Sequence, residues 1–299
     1  MKFNSIQFLS IKINYELGRK TWFGSGGHCS FFLKADTLNQ LKTALKLGKK
    51  FLPIFILGGG SNILVRDGGF KGLVIKLGAD FTKINFDEKK NILSIGAAAK
   101  DLDVSKFCFE NRISGFEFLS GIPGTIGGNL KMNAGCFGDQ ICDKLLDCTI
   151  LDTDQNLKKL EKKQLIFKYR KSSFSDKDII IEARFSAKKS AKEKIKKKML
   201  EISQKRKKTQ PVSNRTGGST FINPPSNSAW KLIDAVKLRG KKIGGARVSK
   251  LHSNFLINEN LATSMDLELL GEEIRRRVWN KFKIKLNWEL MRIGEFKKI

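Results

Sequence analysis

Several residue types are scarce in this chain of 299 residues, and each scarcity excludes a class of function. The chain has two histidines and five cysteines, and no Cys-x-x-Cys pair occurs. No spacing typical of a zinc site is present, so we expect no metal. An odd cysteine count without an export signal favours reduced thiols. Apolar residues 6–11 are interrupted by Gln7 and Ser10 and are too short to span a membrane. We expect a cytoplasmic protein with no membrane partner.

Acidic residues are few relative to basic ones, 29 against 57, and the formal net charge is +28. One interpretation is attraction to anions such as nucleotides, phosphates or nucleic acid. The other is biased amino-acid usage, because Lys, Ile, Asn and Phe are all abundant. Residues 188–208 are lysine-rich, with apolar residues at helical spacing and no aromatic residue for base stacking. We favour a solvated helix and expect no nucleic acid. A nucleic-acid-binding protein is an alternative from net charge only.

Local patterns predict a mixed α and β chain. The strands are predicted at residues 31–33, 51–57, 63–65, 73–75, 92–95, 149–151, 179–185 and 284–293. One helix follows Thr37, and another spans 101–111 with Leu102, Phe107 and Phe109 as candidates for burial. The apolar face of the lysine-rich helix would be Ala191, Ile195, Met199 and Ile202. A last helix begins after Thr263, with Leu267, Leu270, Ile274, Val278 and Phe282 on one face.

The most informative stretch is residues 115–138, which is nearly uncharged and contains seven glycines. Glycine costs backbone entropy, so such a run is useful where the chain needs positive φ or where a ligand touches the main chain. A plain glycine-rich connector is the alternative. Upstream, Gly58-Gly59-Gly60-Ser61-Asn62 follows a predicted buried strand, where successive N–H groups can converge on a phosphate. This loop is neither a Walker loop nor a dinucleotide-binding GxGxxG motif, and alone it is weak evidence.

Taken together, the two glycine loops resemble a known flavoprotein core. GGGSNILV at 58–65, followed by GIPGTIGGNLKMNAG at 121–135, is similar to the UDP-N-acetylenolpyruvoylglucosamine reductase family. Further motifs follow in the family's order almost end to end, at 21–27, 169–172, 210–211, 217–224, 243–249, 252–258, 286–289 and 293–295. The chain has only Tyr15 and Tyr169 and lacks the long tyrosine-bearing insertion, so it resembles the shorter branch.

The resemblance implies an α+β fold that binds FAD without a covalent bond. The FAD-binding fold would be of the vanillyl-alcohol-oxidase and p-cresol-methylhydroxylase type, in two subdomains at 1–80 and 81–190. A C-terminal α+β substrate domain would span 191–299. The implied cofactor-binding residues are Gly58, Gly59, Gly60, Ser61, Asn62, Gly121, Ile122, Pro123, Gly124, Ile126, Gly127, Gly128, Asn133, Ala134 and Gly135.

The same resemblance implies an NADPH-dependent reduction of an enolpyruvyl sugar nucleotide to UDP-N-acetylmuramate, in peptidoglycan precursor synthesis. Hydride would pass from reduced FAD to the β carbon, and Ser219 would protonate the α carbon. Arg170 and Glu289 would stabilise the enolate carboxylate, as preorganised charge does at a developing oxyanion. Tyr169, Asn223 and His252 match substrate-contacting positions.

Interpretations without a catalytic or binding role stay open at this point. Arg170 could form an ordinary surface salt bridge, Ser219 could be a turn serine, and His252 could be a structural histidine. Glu289 stands between apolar residues in a predicted strand, so it is either exposed or functional, since a buried carboxylate is costly unless paired. Another flavin oxidoreductase of the same fold is a further alternative.

Overall fold

The computed structural model describes residues 9–48 and 52–297. The helices are α1 Leu38–Gly48, α2 Asp101–Glu110, α3 Ile126–Met132, α4 Lys192–Thr209, α5 Ala229–Ala235 and α6 Ser264–Phe282. The first ten strands are β1 Ile11–Tyr15, β2 Cys29–Ala35, β3 Ile54–Leu57, β4 Ile63–Val65, β5 Phe70–Leu77, β6 Ile84–Asp87, β7 Ile92–Gly96, β8 Ile113–Ser114, β9 Gly135–Cys136 and β10 Asp139–Gln140. The next ten are β11 Leu145–Leu151, β12 Leu157–Glu161, β13 Phe167–Lys168, β14 Lys171–Ser172, β15 Ile179–Ser186, β16 Lys188–Lys189, β17 Lys242–Ile243, β18 Ala246–Val248, β19 Leu256–Asn258 and β20 Met291–Ile293.

The chain divides into two compact units, each made of several segments. Unit 1 contains residues 9–11, 33–48, 52–59 and 74–205, and unit 2 contains residues 12–32, 60–73 and 206–297. The chain passes from one unit to the other within β1, within β2, between Gly59 and Gly60, within β5 and within α4. The three domains inferred from the sequence, at 1–80, 81–190 and 191–299, stay a prediction.

Unit 1 is built on an antiparallel five-stranded sheet with the strand order β12-β11-β15-β7-β6. In β7, Leu93 and Ile95 are fully buried while Ile92 and Ser94 are half-buried, which is the alternation of a strand with one face on the core. Helix α3 packs against β7 and β15. The predicted strands at 92–95, 149–151 and 179–185 are confirmed as parts of β7, β11 and β15.

Helix α2 was predicted correctly, but its buried face was not. Val104 and Cys108 are buried four positions apart, whereas Leu102 is 49% exposed. Two positions correspond to about 200° around a helix, so Leu102 lies opposite Val104. In α4, Ile195 and Ile202 are buried as predicted. Ala191 precedes the helix and is exposed.

Unit 2 has its core between the antiparallel sheet β17-β18-β19 and helix α6. Leu267, Leu270, Ile274 and Val278 are fully buried at helical spacing and join Phe221 in one apolar cluster. The predicted capping box is present: Thr263 Oγ1 accepts a hydrogen bond from Asp266 N, and the Asp266 carboxylate accepts one from Thr263 N. In the described part of the chain, no helix is long and apolar enough to cross a membrane.

The predicted closing strand at 284–293 is wrong over most of its length. Only Met291–Ile293 forms a strand, β20, which pairs in parallel with β4. Upstream, Leu286 O accepts a hydrogen bond from the Arg275 side chain and Asn287 O accepts one from Ile222 N. The backbone groups of this segment therefore bind several different partners and form no continuous ladder. The predicted strand at 51–57 is observed as β3, and Phe51 lies outside the described residues, as do residues 6–8 of the apolar stretch.

Candidate cofactor and substrate sites

Two glycine segments approach each other closely in unit 1. Gly58 and Gly59 directly follow β3, and a methyl group at Gly59 would lie 3.0 Å from Gly124 Cα. A methyl group at Gly58 would lie 3.0 Å from Thr125 Oγ1. At Gly59 and Gly124 the bare backbone of two separate loops thus comes together, and a side chain at Gly59 would have to displace its neighbour. Gly121, Ile122, Pro123 and Gly124 lead into α3, which contains Ile126, Gly127 and Gly128.

Asn133 ends α3 in the left-handed conformation, with φ at 47°. Its Nδ2 donates to Gln140 Oε1 at 2.9 Å and to Lys168 O at 3.0 Å. Its Oδ1 is buried and accepts no hydrogen bond within the described chain. A buried acceptor without a partner costs about 1–3 kcal/mol, so this atom suits a ligand N–H group. Ala134 and Gly135 follow directly.

Tyr169 and Arg170 form the tip of the hairpin β13–β14 in unit 1. Arg170 has φ at 55°, a conformation that costs a non-glycine residue free energy and that is enriched at functional sites. Arg170 Nη2 donates to Gly135 O at 3.0 Å, and its guanidinium carbon lies 5.1 Å from the Tyr169 ring centre. The predicted catalytic arginine is therefore bound to the predicted cofactor stretch.

Asp101, which the sequence analysis did not single out, lies beside the same stretch. It is 1% exposed, its N–H donates to Gly124 O, and its Oδ1 accepts from Asn129 Nδ2 at 2.7 Å. Burial raises the pKa of the Asp101 carboxyl well above its ordinary value, which favours the neutral form. No motif marks this residue, because its burial depends on where α2 and α3 pack.

The rest of the first glycine loop lies in unit 2, where it contacts the segment that carries Glu289. Gly60 has φ at 68°, and Ser61 and Asn62 lead into β4. Asn62 Nδ2 donates to Glu289 O at 3.0 Å, and Met291 N donates to Asn62 O at 2.9 Å. Glu289 is half-buried and precedes β20 rather than lying within a strand.

Ser219 is close to Glu289 along the paired backbone of unit 2. Phe221 and Trp288 form an antiparallel bridge, and Glu289 N donates to Thr220 O at 2.9 Å. Gly218 has φ at 84°, and a methyl group there would meet no atom within 4 Å, so there is open space beside the half-buried Ser219.

Asn223 and His252 also belong to unit 2. Asn223 is exposed, and its Oδ1 accepts from Ala229 N at 2.9 Å. His252 Nδ1 accepts from Asn254 N at 3.3 Å, so a neutral imidazole carries its proton on Nε2. Burial, together with the charge of Arg239, lowers the pKa of His252 and favours that neutral form. Among residues 9–48 and 52–297, no three His, Cys, Asp or Glu side chains are placed to hold a metal ion.

The predicted residues therefore form two groups. Gly58, Gly59, residues 121–135, Tyr169 and Arg170 belong to unit 1, whereas Gly60, Ser61, Asn62, Ser219, Asn223, His252 and Glu289 belong to unit 2. The unit 1 residues fit FAD by two criteria. Their bare backbones meet without side chains, and the buried Asn133 Oδ1 is an acceptor that a ligand N–H could satisfy.

Comparison with family models matches two segments of the chain, residues 29–161 and 210–293. Residues 29–161 match the FAD binding domain, which includes both glycine loops. Residues 210–293 match the C-terminal domain of UDP-N-acetylenolpyruvoylglucosamine reductase, which includes Ser219, Asn223, His252 and Glu289. Tyr169 and Arg170 lie between the two matched segments.

Relatives and a solved structure agree with these models. The chain is 45% identical over 285 residues to the UDP-N-acetylenolpyruvoylglucosamine reductase of Rickettsia prowazekii, covering 95% of this chain and 96% of the relative. It is 44% identical over 286 residues to the Rickettsia canadensis enzyme of the same name, with the same coverage. The crystal structure of this reductase from Thermus caldophilus matches with a TM-score of 0.82 and 31% identity, covering 96% of this chain and 99% of that one. The α+β chain with its FAD-binding fold thus belongs to the UDP-N-acetylenolpyruvoylglucosamine reductase family and is an oxidoreductase.

Proposed function

We propose that the chain uses NADPH to reduce the enolpyruvyl group of UDP-N-acetylglucosamine enolpyruvate, giving UDP-N-acetylmuramate for peptidoglycan precursor synthesis. The observation that carries this proposal is the 2.9 Å hydrogen bond between Glu289 N and Thr220 O. This hydrogen bond holds Thr220, the residue that follows Ser219, next to Glu289, which carries the candidate carboxyl group. Family membership is the basis on which we propose the identity of the substrate and of the co-substrate.

The cofactor residues of this proposal are the glycine loops, Asn133 and Ala134. They would hold FAD through main-chain groups and without a covalent bond. When bound and reduced by NADPH, FAD supplies the hydride for the β carbon of the enol ether. The close approach of Gly59 to Gly124 leaves the main chain of both loops uncovered by their own side chains, which supports contact between that main chain and a ligand.

Ser219 is proposed as the proton donor to the α carbon. A serine hydroxyl is far too weak an acid to donate to an ordinary base, so it must act on a carbon that has gained strong carbanion character. The open space at Gly218 allows close approach of the substrate to Ser219. Gly217 has a packing reason instead, because a methyl group there would lie 2.4 Å from the Phe23 ring.

Arg170 and Glu289 are proposed to stabilise the carboxylate of the enolate. Arg170 is permanently charged and can bind a carboxylate with two parallel hydrogen bonds. Its bond to Gly135 O and its left-handed backbone fix its position before substrate arrives, which is what electrostatic stabilisation requires. Tyr169, Asn223 and His252 are proposed substrate contacts, with the neutral His252 donating through Nε2.

The test is anaerobic mixing of photoreduced protein with UDP-N-acetylglucosamine enolpyruvate. We expect the wild type to lose its reduced-flavin spectrum and to form the muramate product. Ser219→Ala should still accept electrons from NADPH but should react with the sugar nucleotide about 10²–10⁴-fold more slowly, the usual contribution of a positioned proton donor. Ser25→Ala is the matched control, because Ser25 is a buried serine of the same unit that only donates to Ala262 O.

Two outcomes would overturn these assignments. Equal reoxidation rates in wild type and Ser219→Ala would remove Ser219 from its role. A wild type that is reduced by NADPH but is not reoxidised by this sugar nucleotide would instead be another flavin oxidoreductase of the same fold. Parallel assays with NADH determine which nicotinamide cofactor is preferred.

We also propose that the enzyme works in the cytoplasm. All five cysteines, Cys29, Cys108, Cys136, Cys142 and Cys148, are free thiols. Free thiols are typical of a reducing compartment. Burial raises the pKa of Cys29 to about 11 and that of Cys148 to about 12, so neither is a reactive thiolate at neutral pH.

A further inference from the structure

We propose that Asn254 is the positioning residue that fixes the place of Ser219, an inference that rests on the proposed role of Ser219 as proton donor. Asn254 is 4% exposed and lies in unit 2. Its effect would pass through the backbone that follows Ser219.

The Asn254 side chain binds both backbone groups of one residue. Asn254 Oδ1 accepts from Phe221 N at 3.0 Å, and Asn254 Nδ2 donates to Phe221 O at 2.8 Å. Its own carbonyl oxygen accepts from Thr220 N at 2.7 Å. Two consecutive residues after Ser219 are therefore held by three hydrogen bonds to one asparagine.

These three hydrogen bonds take the place of regular strand pairing, which residues 219–221 do not have. Residues 219–221 belong to no named strand and make only isolated bridges, Ser219 with Phe255 and Phe221 with Trp288. A flexible segment would let the Ser219 hydroxyl sample many positions. The paired amide bonds occupy both ladder groups of Phe221, whose ring is fully buried and lies 5.0 Å from that of Trp288. They hold the Ser219 backbone as a neighbouring strand would.

The same segment meets Glu289 on its other side. Thr220 N donates to Asn254 O, while Thr220 O accepts from Glu289 N at 2.9 Å. The backbone N–H and C=O of one residue, Thr220, thus join the asparagine to the residue that carries the candidate carboxyl group. Loss of the Asn254 bonds should shift Ser219 relative to Glu289, and a misplacement of about 1 Å can lower a rate about 100-fold.

Two substitutions test the proposal. Asn254→Leu removes both side-chain bonds. Asn254→Asp restores both of them only while the introduced carboxyl is protonated, because a carboxylate cannot donate to Phe221 O. His252, the Arg239 and Asp234 charges that act on it, and Glu289, whose backbone binds Thr220, are the same in every variant. Their contribution is removed by dividing each pH profile by that of the wild type.

Asn258 provides the matched control. It is 7% exposed in the same unit and also makes two side-chain bonds to backbone, from Nδ2 to Phe23 O and from Ala262 N to Oδ1, both 2.8 Å. Asn258→Leu should lower the free energy of unfolding much as Asn254→Leu does. It should leave the reaction of reduced protein with the sugar nucleotide unchanged per folded molecule.

Four measurements decide between a positioning role and a structural one: denaturant unfolding, flavin reduction by NADPH, reoxidation by UDP-N-acetylglucosamine enolpyruvate, and hydrogen exchange of the Phe221 amide. For Asn254→Leu we expect reoxidation to fall about 100-fold while flavin reduction changes by less than about threefold. For Asn254→Asp we expect near-normal reoxidation at the acid end of the pH range and loss at the alkaline end. Protection of the Phe221 amide should follow the same profile after correction for the intrinsic exchange rate.

The proposal is overturned if Asn254→Leu reoxidises at the wild-type rate per folded molecule, or if Asn258→Leu shows the same loss. It is also overturned if Asn254→Asp is equally slow at both ends of the pH range. Should Asn254→Leu fail to fold, Asn254→Asp and the exchange data decide. A wild type that does not react with the sugar nucleotide contradicts the proposed function instead, and Phe221 protection still tests the role of Asn254 without any substrate.

Discussion

At the scale of single residues, the order of the motifs predicted which residues belong to the candidate site. It did not predict their backbone conformation, burial or hydrogen bonds. The resemblance named Arg170 and Asn133, yet nothing in the sequence indicates that both have positive φ. Asn254 and Asp101 were missed because both are buried and hydrogen-bond to groups distant in sequence, the Phe221 backbone and the Asn129 side chain respectively, which no local pattern reports. The sequence left His252 between a structural and a substrate-binding role, and the half-buried position and lowered pKa of His252 are compatible with either.

The stability of the protein should depend on His252 as the pH falls below its unfolded-state pKa of about 6.5. Burial lowers the folded-state pKa of His252 below the unfolded value of about 6.5. As the pH falls past the unfolded value, the unfolded chain binds a proton that the folded protein does not, so the free energy of unfolding decreases. This stabilisation is complete above the unfolded pKa and is lost as the pH falls through the folded pKa.

Urea unfolding at several pH values measures this slope. His252→Gln should weaken the dependence of the free energy of unfolding on pH. His28→Gln, a change at the exposed second histidine, should leave that dependence as it is. The lowered pKa values of Asp36, Asp147 and Glu273 place their contributions at lower pH. A slope that is identical in wild type and His252→Gln would refute the assignment.

At the scale of secondary-structure elements, local signals were sufficient where an element is stabilised locally. The Thr263 capping box and the apolar face of α6 are both present as predicted. The segment 284–290 was predicted wrongly because its backbone binds a side chain and short non-strand segments. The N-terminus of α6 is also hydrogen-bonded by Asp67. Because Asp67 lies 197 positions before Ser264, no local sequence pattern predicts this contact.

Loss of Asp67 should destabilise helix α6. Its two carboxylate oxygens accept from Ser264 N at 3.0 Å and from Met265 N at 2.9 Å, two N–H groups that have no partner within the helix. We expect Asp67→Ala to lower the free energy of unfolding by about 1–2 kcal/mol, the usual cost of losing a capping acceptor at a helix N-terminus. Asp67→Asn keeps one acceptor and should cost less. Urea unfolding that changes by less than about 0.5 kcal/mol in Asp67→Ala would contradict this.

At the scale of the whole molecule, the fold class and the family could be predicted because so many ordered motifs span the chain. The net charge of +28 is a property that the proposed function does not use. Many acidic residues are already paired, for example Asp147 with Arg184 and Glu273 with Arg276 and Arg277. The excess of lysine and arginine therefore repels itself in the folded state.

Salt should stabilise the folded protein. Raising NaCl from about 10 mM to about 150 mM shortens the Debye length from about 30 Å to about 8 Å and screens this repulsion. We expect the free energy of unfolding in urea to rise with NaCl. The double variant Lys196→Glu/Lys197→Glu, at exposed positions of α4, should show a weaker dependence. A fall in stability with added NaCl would mean that favourable ion pairs outweigh the repulsion.

The parallel pairing of β4 with β20 has a consequence for biosynthesis. Asn62 and Glu289, which flank this pairing, are 227 positions apart. A nascent chain emerging from the ribosome must therefore carry unpaired strand groups at β4 until translation has passed residue 293. Unit 2 therefore cannot complete its fold before this last segment is made, since contacts of long sequence separation form late and leave apolar surface open to aggregation. Chaperone capture of the stalled nascent polypeptide should persist until β20 has left the exit tunnel.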